Sequence, residues 1–586
     1  MELVFDIETD GLLPQMTKIH CIVAINPNTG EVFKFGPDRI KEGVAMLEVA
    51  DRVIGHSIAT FDIPAIRKLY PTFAVKASLD TLVMSRLQQP DIKAEDFQLR
   101  MNKMPKALIG KHSLEAWGWR LGKLKGDFGK TTDWAEYSEE MLAYCVQDVE
   151  VTVELYKHLD QLRLRYGCSE GSYKIEEAFA LRVQEMMARG VAFDKVAADR
   201  LAQVLMEAQA VNDLEVRGLC ADFEDEYRTP KKQILKVRKT VFNPSSRDHI
   251  ARHLIDRRGW VPKDFTETGK PQVDEDILMP LEWPEAKLLA KRFLLEKRMG
   301  QLATGKEAWM KAVKEDGRIH GYVNHNGAVT GRCTHSGPNM AQVPRVSSLY
   351  GKECRALFVA KPGYKMVGCD AKGLELRCLA HYVAKYDDGA YGRIVCEGDP
   401  HTVNQKAAGL STRDQAKTFI YALLYGAGDA KLGRIVDPKA TEEVARKMGR
   451  KLRSQFMRNF PAYAALKDGL DARLEGQRAP VIKGIDGRPL FIRSTHAALN
   501  TLLQSAGAVL MKRATEIACG EIAAQGIDGG MVLHVHDEFQ FEVREDQAET
   551  VKAFLPGCIE SAGCNLGFRV PMTGDAKVGN NWAETH

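Results

Sequence analysis

The stretch Tyr364 to Tyr382, YKMVGCDAKGLELRCLAHY, constrains the fold more than any other part of the chain. A short apolar run through Met366, Val367 and Cys369 stops at Asp370, and Gly373 opens a segment with Leu376, Leu379, Tyr382 and Val383 at helical spacing. The pattern predicts strand, carboxylate, turn, helix. A carboxylate at the mouth of a buried strand is costly unless a positive group sits on it. Two readings stay open for Asp370 alone: a cap on the following helix, or a ligand to a metal ion. A second acidic turn, HVHDE from His534 to Glu538, would supply the other half of a metal cage. It sits inside GGMVLHVHDEFQFEV, an apolar run followed by an alternating one, which predicts a β-hairpin with Asp537 at or near its tip. Asp370 and Asp537 meeting across neighbouring strands would hold two divalent ions about 4 Å apart.

A similar logic governs the first 160 residues. ELVFDIETDGL places Asp6 and Glu8 two apart on a strand, hence on one face, flanked by Val4, Phe5 and Ile7. Adjacent carboxylates repel, and burial worsens this unless divalent cations hold them. VIGHSIATFDIPAI reads as an apolar strand end followed by Phe61-Asp62 and a helix, and MLAYCVQDVEVTVELY as a helix with Tyr144 and Asp148 on one face. Singly, each fragment reads as a helix cap or a surface acid. Together and in this order they suit a two-metal hydrolytic site, with one ion activating water and Tyr144 orienting it. The set DIE, FD, YxxxD resembles the DEDD-type (Y subclass) 3′→5′ proofreading exonucleases, which have a ribonuclease H-like α/β fold. The resemblance implies Asp6, Glu8, Asp62 and Asp148 as metal ligands, Tyr144 as the water-positioner, and an active exonuclease.

At 586 residues the chain is too long for one core, so several domains are expected. A net charge of +4 on this length means that any nucleic-acid surface has to come from local clustering. Twelve cysteines without a CxxC pair argue against zinc and for a reducing compartment, and Cys558 and Cys564 read as two small buried residues. No run of about 18 apolar residues is present, so no membrane segment is expected. Met1 runs almost directly into the strand LVFDIE, which leaves no place for a signal or transit peptide.

Residues 174 to 220 read as helices, broken at Ala188 to Asp194. The basic stretch TPKKQILKVRK carries Lys231, Lys232, Lys236, Arg238 and Lys239. It is either a solvated helix face or a phosphate-gripping surface. The adjoining turn FNPSSRDH, able to offer backbone N–H groups to phosphate, favours the second. GRIHGYVNHNGAVTGRCTHSGPNMAQVP reads as strands joined by polar turns, with Arg332 and Asn339 available to a duplex.

TRDQAKTFIYALLYGAG puts Arg413, Lys417, Tyr421 and Tyr425 four apart on one slowly drifting helical stripe. A surface helix would mix signs and a core stripe would be apolar. Two cations followed by two aromatics suit a nucleoside triphosphate, with Arg413 and Lys417 on phosphates, Tyr421 at sugar and base, and Tyr425 beside a templating base. His401 is a further candidate phosphate contact. RSTHAALNTLLQSAGA places Asn500 and Gln504 at i and i+4, as surface amides or as readers of minor-groove acceptors.

The stretches around Asp370, Arg413 to Tyr425 and Asp537 resemble motifs A, B and C of family A (DNA polymerase I-like) DNA polymerases, in the family's order. TGR and PNMAQVP resemble its primer-template-binding part. The likeness is greatest to the replicative polymerases of short-tailed T-odd bacteriophages, through GRIHGYVNHNGAVTGR, CDAKGLELRCLAHY, RDQAKTFIY, HAALNTLLQSAGA and the C-terminal NWAETH. The resemblance implies an α/β multidomain fold, with an exonuclease domain (1–160), a helical connection (161–190) and a right-hand polymerase. The hand comprises thumb (191–310), first palm part (311–400), fingers (401–495) and second palm part (496–586). It implies two Mg²⁺ at each site (Mn²⁺ as the alternative), held by Asp370, Asp537 and the backbone of Ala371 in the palm. Lys417 would protonate leaving pyrophosphate, and Glu375 would sit where a ribose 2′-OH would go. Gln342 and His536 would join Arg332, Asn339, Asn500 and Gln504 on DNA. Tyr421 in place of Phe is the variant that accepts dideoxynucleotides readily. Lys372 departs from the small polar residue of many relatives. Between Cys220 and Phe242 there is room only for a short basic loop, so no thioredoxin clamp is expected. Expected partners are primer-template DNA, dNTPs, a helicase-primase and a single-strand-binding protein, in the cytoplasm of an infected bacterium. A single-subunit RNA polymerase is disfavoured by Glu375 and the exonuclease motifs. A dead DNA-binding scaffold is disfavoured because every metal-ligand position stays acidic.

Overall fold

The computed structural model describes residues 1–13, 15–98, 104–124, 134–228, 235–477 and 480–586. The chain divides into two compact units. One comprises Met1–Arg189, Val323–His335 and Val367–Val578; the other comprises Gly190–Tyr322, Ser336–Met366 and Gly579–His586.

The first unit opens with a five-stranded sheet in the order Val32–Phe35, Ile19–Ile25, Glu2–Thr9, Arg52–Gly55, Ser78–Asp80. The central strand Glu2–Thr9 is antiparallel to Ile19–Ile25 and parallel to Arg52–Gly55. Leu3, Phe5 and Ile7 enter one core, whereas Val4, with Cys21 and Val23 of the neighbouring strand, enters another. Burial on both faces explains why these strands read as almost unbroken apolar runs. The helix Glu139–Tyr166 covers the second face, capped at its start by Ser138 and ended by Gly167 in the left-handed region.

The second sheet of this unit runs Gly529–Val535, Glu538–Arg544, Tyr364–Ala371, Gly574–Gly579. Its first two strands form the expected hairpin, closed between Val535 and Glu538, with His536 at φ 56° and Asp537 as the two turn residues. Gly373, at φ 61°, turns the chain from Ala371 into the helix Leu374–Asp387. The helices Pro400–Ala408, Arg413–Leu424, Asp429–Arg434, Glu442–Asn459 and Pro461–Leu474 follow, and then the long helix Ala498–Ala524. Residues of most of these elements and of the sheet share one core.

A buried ionic hub fastens this unit from within. Glu176, on the helix Glu170–Arg189, accepts from Arg488 at 2.6 Å, pairs with His325 at 3.0 Å and also accepts from Lys512. Arg488 is bonded on its other side by Asp486. Burial alone would raise the Glu176 carboxyl; Lys512 and Arg488 outweigh it and hold the group far below the usual carboxylate range.

In the second unit, Lys195–Leu219 and Pro284–Met299 pack around a core that includes Val216, Phe242, Leu254 and Leu289. The break expected at Ala188 to Asp194 contains a short strand, Val191–Phe193, paired with Phe358–Val359 and Arg318–Ile319.

Three expectations need correction. The basic stretch before Phe242 is, in its described part, one arm of a hairpin, Phe223–Arg228 with Leu235–Thr240, rather than a loop. Its partner strand is acidic, so Glu224 faces Lys239 and Asp225 faces Arg238. Lys239 is spent on Glu224 at 2.8 Å, and Lys236 stands opposite Tyr227. Lys231 and Lys232 lie outside the described residues. The Asn243–Ser246 turn does not present free N–H groups: Ser245 and Ser246 donate to Asn243, and His249 donates to the Ser246 hydroxyl. Cys558 is buried but Cys564 is exposed, because it falls on the outer side of the helix Ala548–Asn565. Among the described residues no helix is long and apolar enough to cross a membrane.

Candidate active sites

Two acidic sites lie in the first unit. At the first, carboxylate oxygens of Asp6 and Glu8 and the Cys145 thiol come within 4.8 Å of one another. Asp62 is brought in by the loop after Gly55. A side chain at Gly55 would put its Cβ 2.7 Å from the Phe5 carbonyl, so only glycine lets this loop lie down on the central strand. The Asp62 carboxylate then accepts from the Ile7 N–H, between the two acids, at 3.3 Å. Burial pushes the Asp62 carboxyl up to about 7, against a hydrogen bond with Asp6 that lowers it. Carboxylates this close and this dry are hard oxygen donors that fit a divalent cation.

Tyr144 and Asp148 descend from the helix Glu139–Tyr166, both buried, with Trp134 edge-on to Tyr144 at 6.2 Å. The Cys145 thiol donates to the Asp6 carbonyl at 3.6 Å and ties this helix to the acid-bearing strand. Sequence reasoning missed Cys145, because a cysteine on a helix beside a tyrosine reads as ordinary core. Burial raises its thiol well above the usual range, so in this state it is a neutral packing group.

At the second site the Ala371 N–H donates to the Asp537 carbonyl at 2.9 Å, which sets the acidic hairpin turn beside the end of the Asp370 strand. Carboxylate oxygens of Asp370 and Glu538 lie within 4.8 Å of one another. Burial, and after it the nearby Glu375, raises the Asp537 carboxyl. Glu538, the last residue of that acidic turn, therefore joins Asp370 and Asp537 at this site. Buried Gln540 donates to Glu538 and holds its carboxylate in place.

The helix Arg413–Leu424 begins at a capping box made by Thr412 and Gln415. It buries Ala416, Phe419, Ile420, Leu423 and Leu424, which leaves Arg413 and Lys417 exposed and Tyr421 half-buried. Tyr425 is the C-cap, just past the helix, and Gly426 at φ 75° ends it. Arg413 makes a two-pronged ion pair with Asp399, at 2.7 and 3.1 Å. Asp399 also caps the next helix back, accepting from the His401 N–H at 3.1 Å. The His401 and Tyr421 rings are 6.2 Å apart. Glu375 accepts from the Tyr425 hydroxyl at 3.1 Å and lies 4.0 Å from the Arg332 guanidinium.

Of the other expected nucleic-acid contacts, Asn500 and Gln504 bond each other at 2.9 Å along the helix Ala498–Ala524. His536 is in the acidic hairpin turn. Asn339 and Gln342 are in the second unit, where the Asn339 side chain caps Met340–Gln342 and the Gln342 carbonyl accepts from Gln301.

The raised carboxyls give a pH test. Besides Asp62, Glu177 is pushed up to about 8, by burial and then by Asp80. A carboxyl whose folded pKa is raised contributes stability at low pH that is lost as pH rises through the folded value. In a chelator, the melting temperature of this unit should therefore fall as pH rises from about 4 to about 8, from the unfolded values of these carboxyls to their folded ones. Divalent cation should remove the Asp62 share of that fall and leave the Glu177 share. A melting temperature indifferent to pH and metal over this range would contradict the assignment.

Residues 215–584 match the family model described as DNA polymerase family A. The DNA-directed DNA polymerase of Enterobacteria phage T3 is 35% identical over 714 aligned positions, covering 100% of both chains. That of Escherichia phage T7 is 34% identical with the same coverage. The alignment to the T3 protein is 128 positions longer than the 586 residues of this chain. A DNA polymerase I of Pseudomonas aeruginosa is 28% identical over 61% of this chain and 40% of its own length. Among solved structures, the POL domain of Pol1 from M. smegmatis, in complex with DNA primer-template and dNTP, is similar with a TM-score of 0.73. At 18% identity it covers 100% of this chain and 95% of its own, and it supports the fold.

Proposed function

The chain belongs to DNA polymerase family A, and from that premise we propose that it extends a primer 3′-OH on a DNA template and proofreads with a separate 3′→5′ exonuclease. The observation that carries the reading is the junction of Asp370 with the Asp537–Glu538 turn. Asp370, Asp537 and the backbone of Ala371 would hold two divalent cations, Mg²⁺ by preference. When bound, these ions lower the pKa of the primer hydroxyl and spread the charge that develops on the transferred phosphoryl group. Arg413 and Lys417 orient the triphosphate, with Lys417 donating a proton to leaving pyrophosphate, and His401 assists. Glu375, fixed by Tyr425, excludes a ribose 2′-OH. Arg332, Asn339, Gln342, Asn500, Gln504 and His536 contact the primer-template. At the other site, Asp6, Glu8, Asp62 and Asp148 would hold two ions, and Tyr144 would align the attacking water.

In this reading the polypeptide is arranged as exonuclease (1–160), connection (161–190), thumb (191–310), palm (311–400 and 496–586) and fingers (401–495). Working partners are a helicase-primase and a single-strand-binding protein in the infected bacterium. No thioredoxin clamp is proposed, since the described residues between Cys220 and Phe242 form a short charged hairpin. A thioredoxin that greatly lengthened the product made per binding event would refute that point.

The test is extension of a labelled primer with Mg²⁺, with and without nucleotides. dNTPs should lengthen the primer, ribonucleotides should not, and omission of nucleotides should shorten it. Tyr421→Phe adds a narrower check. Incorporation of dideoxynucleotides should drop far more than normal synthesis, and equal losses in the two would remove Tyr421 from the sugar pocket.

A further inference from the structure

The helix Glu442–Asn459 packs Ala445, Gly449 and Phe456 inward, and Phe456 meets Phe419 of the nucleotide-binding helix at 5.6 Å. On the opposite side, Lys447, Arg450, Lys451, Ser454 and Arg458 are all exposed. They fall within a sector of about 100° and span about 16 Å of helix. Among the described residues, Lys447, Lys451 and Arg458 have no carboxylate partner, and Arg450 lies 3.8 Å from Asp429. Glu443, at the start of the helix, is the one acid in the sector.

An ordinary solvated helix face alternates charge at i and i+4, since like charges at that spacing destabilise the helix. Lys447 and Lys451 break that rule, and so do Arg446 and Arg450. The sector also carries no apolar or aromatic side chain to anchor a peptide. It offers charge and one hydroxyl, which is what a sequence-independent grip on phosphates needs. Its position narrows the choice of nucleic acid. Asp429, to which Arg453 is bonded at 2.8 Å, follows Gly426–Gly428 directly, at the end of the helix where Tyr425 would meet the templating base.

We infer that this face binds the single-stranded 5′ overhang of the template before it reaches the insertion site. The inference rests on the polymerase reading and adds a surface to it.

The test uses the full-length protein and the triple variant K447Q/K451Q/R458Q, which touches no buried group. Equilibrium binding is measured by fluorescence anisotropy over a range of salt, on two primer-templates that share one duplex. One carries a long single-stranded 5′ overhang and the other a single overhanging nucleotide. The variant should bind the long overhang more weakly, with the log–log salt slope reduced by about 2, at about 0.7 per single-strand phosphate released. On the short overhang, affinity and single-nucleotide addition should match the parent protein. Equal weakening on both substrates would assign the face to duplex, and no weakening on either would leave it a solvated surface; each result overturns the inference. So would loss of an oligoglutamate peptide's binding without any dependence on overhang, which would point to an acidic protein partner. A parent protein that failed to extend even the short-overhang substrate would instead sink the polymerase reading.

Discussion

Asp370→Asn should abolish primer extension while leaving primer shortening intact. Replacing one carboxylate oxygen by an amide weakens the cation site at the place where Ala371 and Asp537 are tied together. Loss of an outer-shell partner alone costs about 10- to 100-fold, so loss of a direct ligand should exceed about 100-fold in kcat/KM. Asp6→Ala should do the reverse, because Asp6 belongs to a carboxylate cluster on a different sheet. Both variants leave the cores untouched and should melt like the parent protein. Loss of both activities in either folded variant would refute the two-site arrangement.

Glu176→Gln should be the most damaging change to stability outside the sites. The side chain is fully buried and faces Arg488, Lys512 and His325. Neutralising it strands buried Lys512 and leaves Arg488 with Asp486 alone, and breaking a buried pair in this way costs about 3–5 kcal/mol. Chemical denaturation of the unit that holds the hub would measure the loss. A change below about 1 kcal/mol would mean that water screens the cluster as it does a surface pair. The pH dependence has a definite sign. Glu176 titrates lower in the folded than in the unfolded state, so its contribution is present above the unfolded value of about 4.3 and fades as pH falls below it. The parent protein should thus lose its advantage over Glu176→Gln only in acid.

The hub shows what local sequence patterns cannot carry. Glu176, His325, the Asp486–Arg488 turn and Lys512 come from separate segments, and each alone reads as a surface charge or a polar loop residue. Their partners are set by the packing of two helices, a hairpin and a turn, which no periodicity encodes. The same holds for the pair between Arg413 and Asp399, fourteen positions apart across a turn. The strand form of the basic stretch before Phe242 was not legible because its acidic complement lies on the facing strand, where cross-strand register decides the pairing. Cys145 was not legible as a site residue for a related reason: side-chain direction at a helix–sheet contact follows from backbone geometry.

By itself, the sequence determined the acid-bearing strand ends, the hairpin around Asp537, the cation–aromatic helix of Arg413 to Leu424 and the family. Those are short-range features, fixed by alternation, helical spacing and turn residues. Tertiary structure alone decided which charges neutralise one another and which stay unpaired. Electrostatic pairing depends on distance and burial in space, and folding brings together residues that lie hundreds of positions apart.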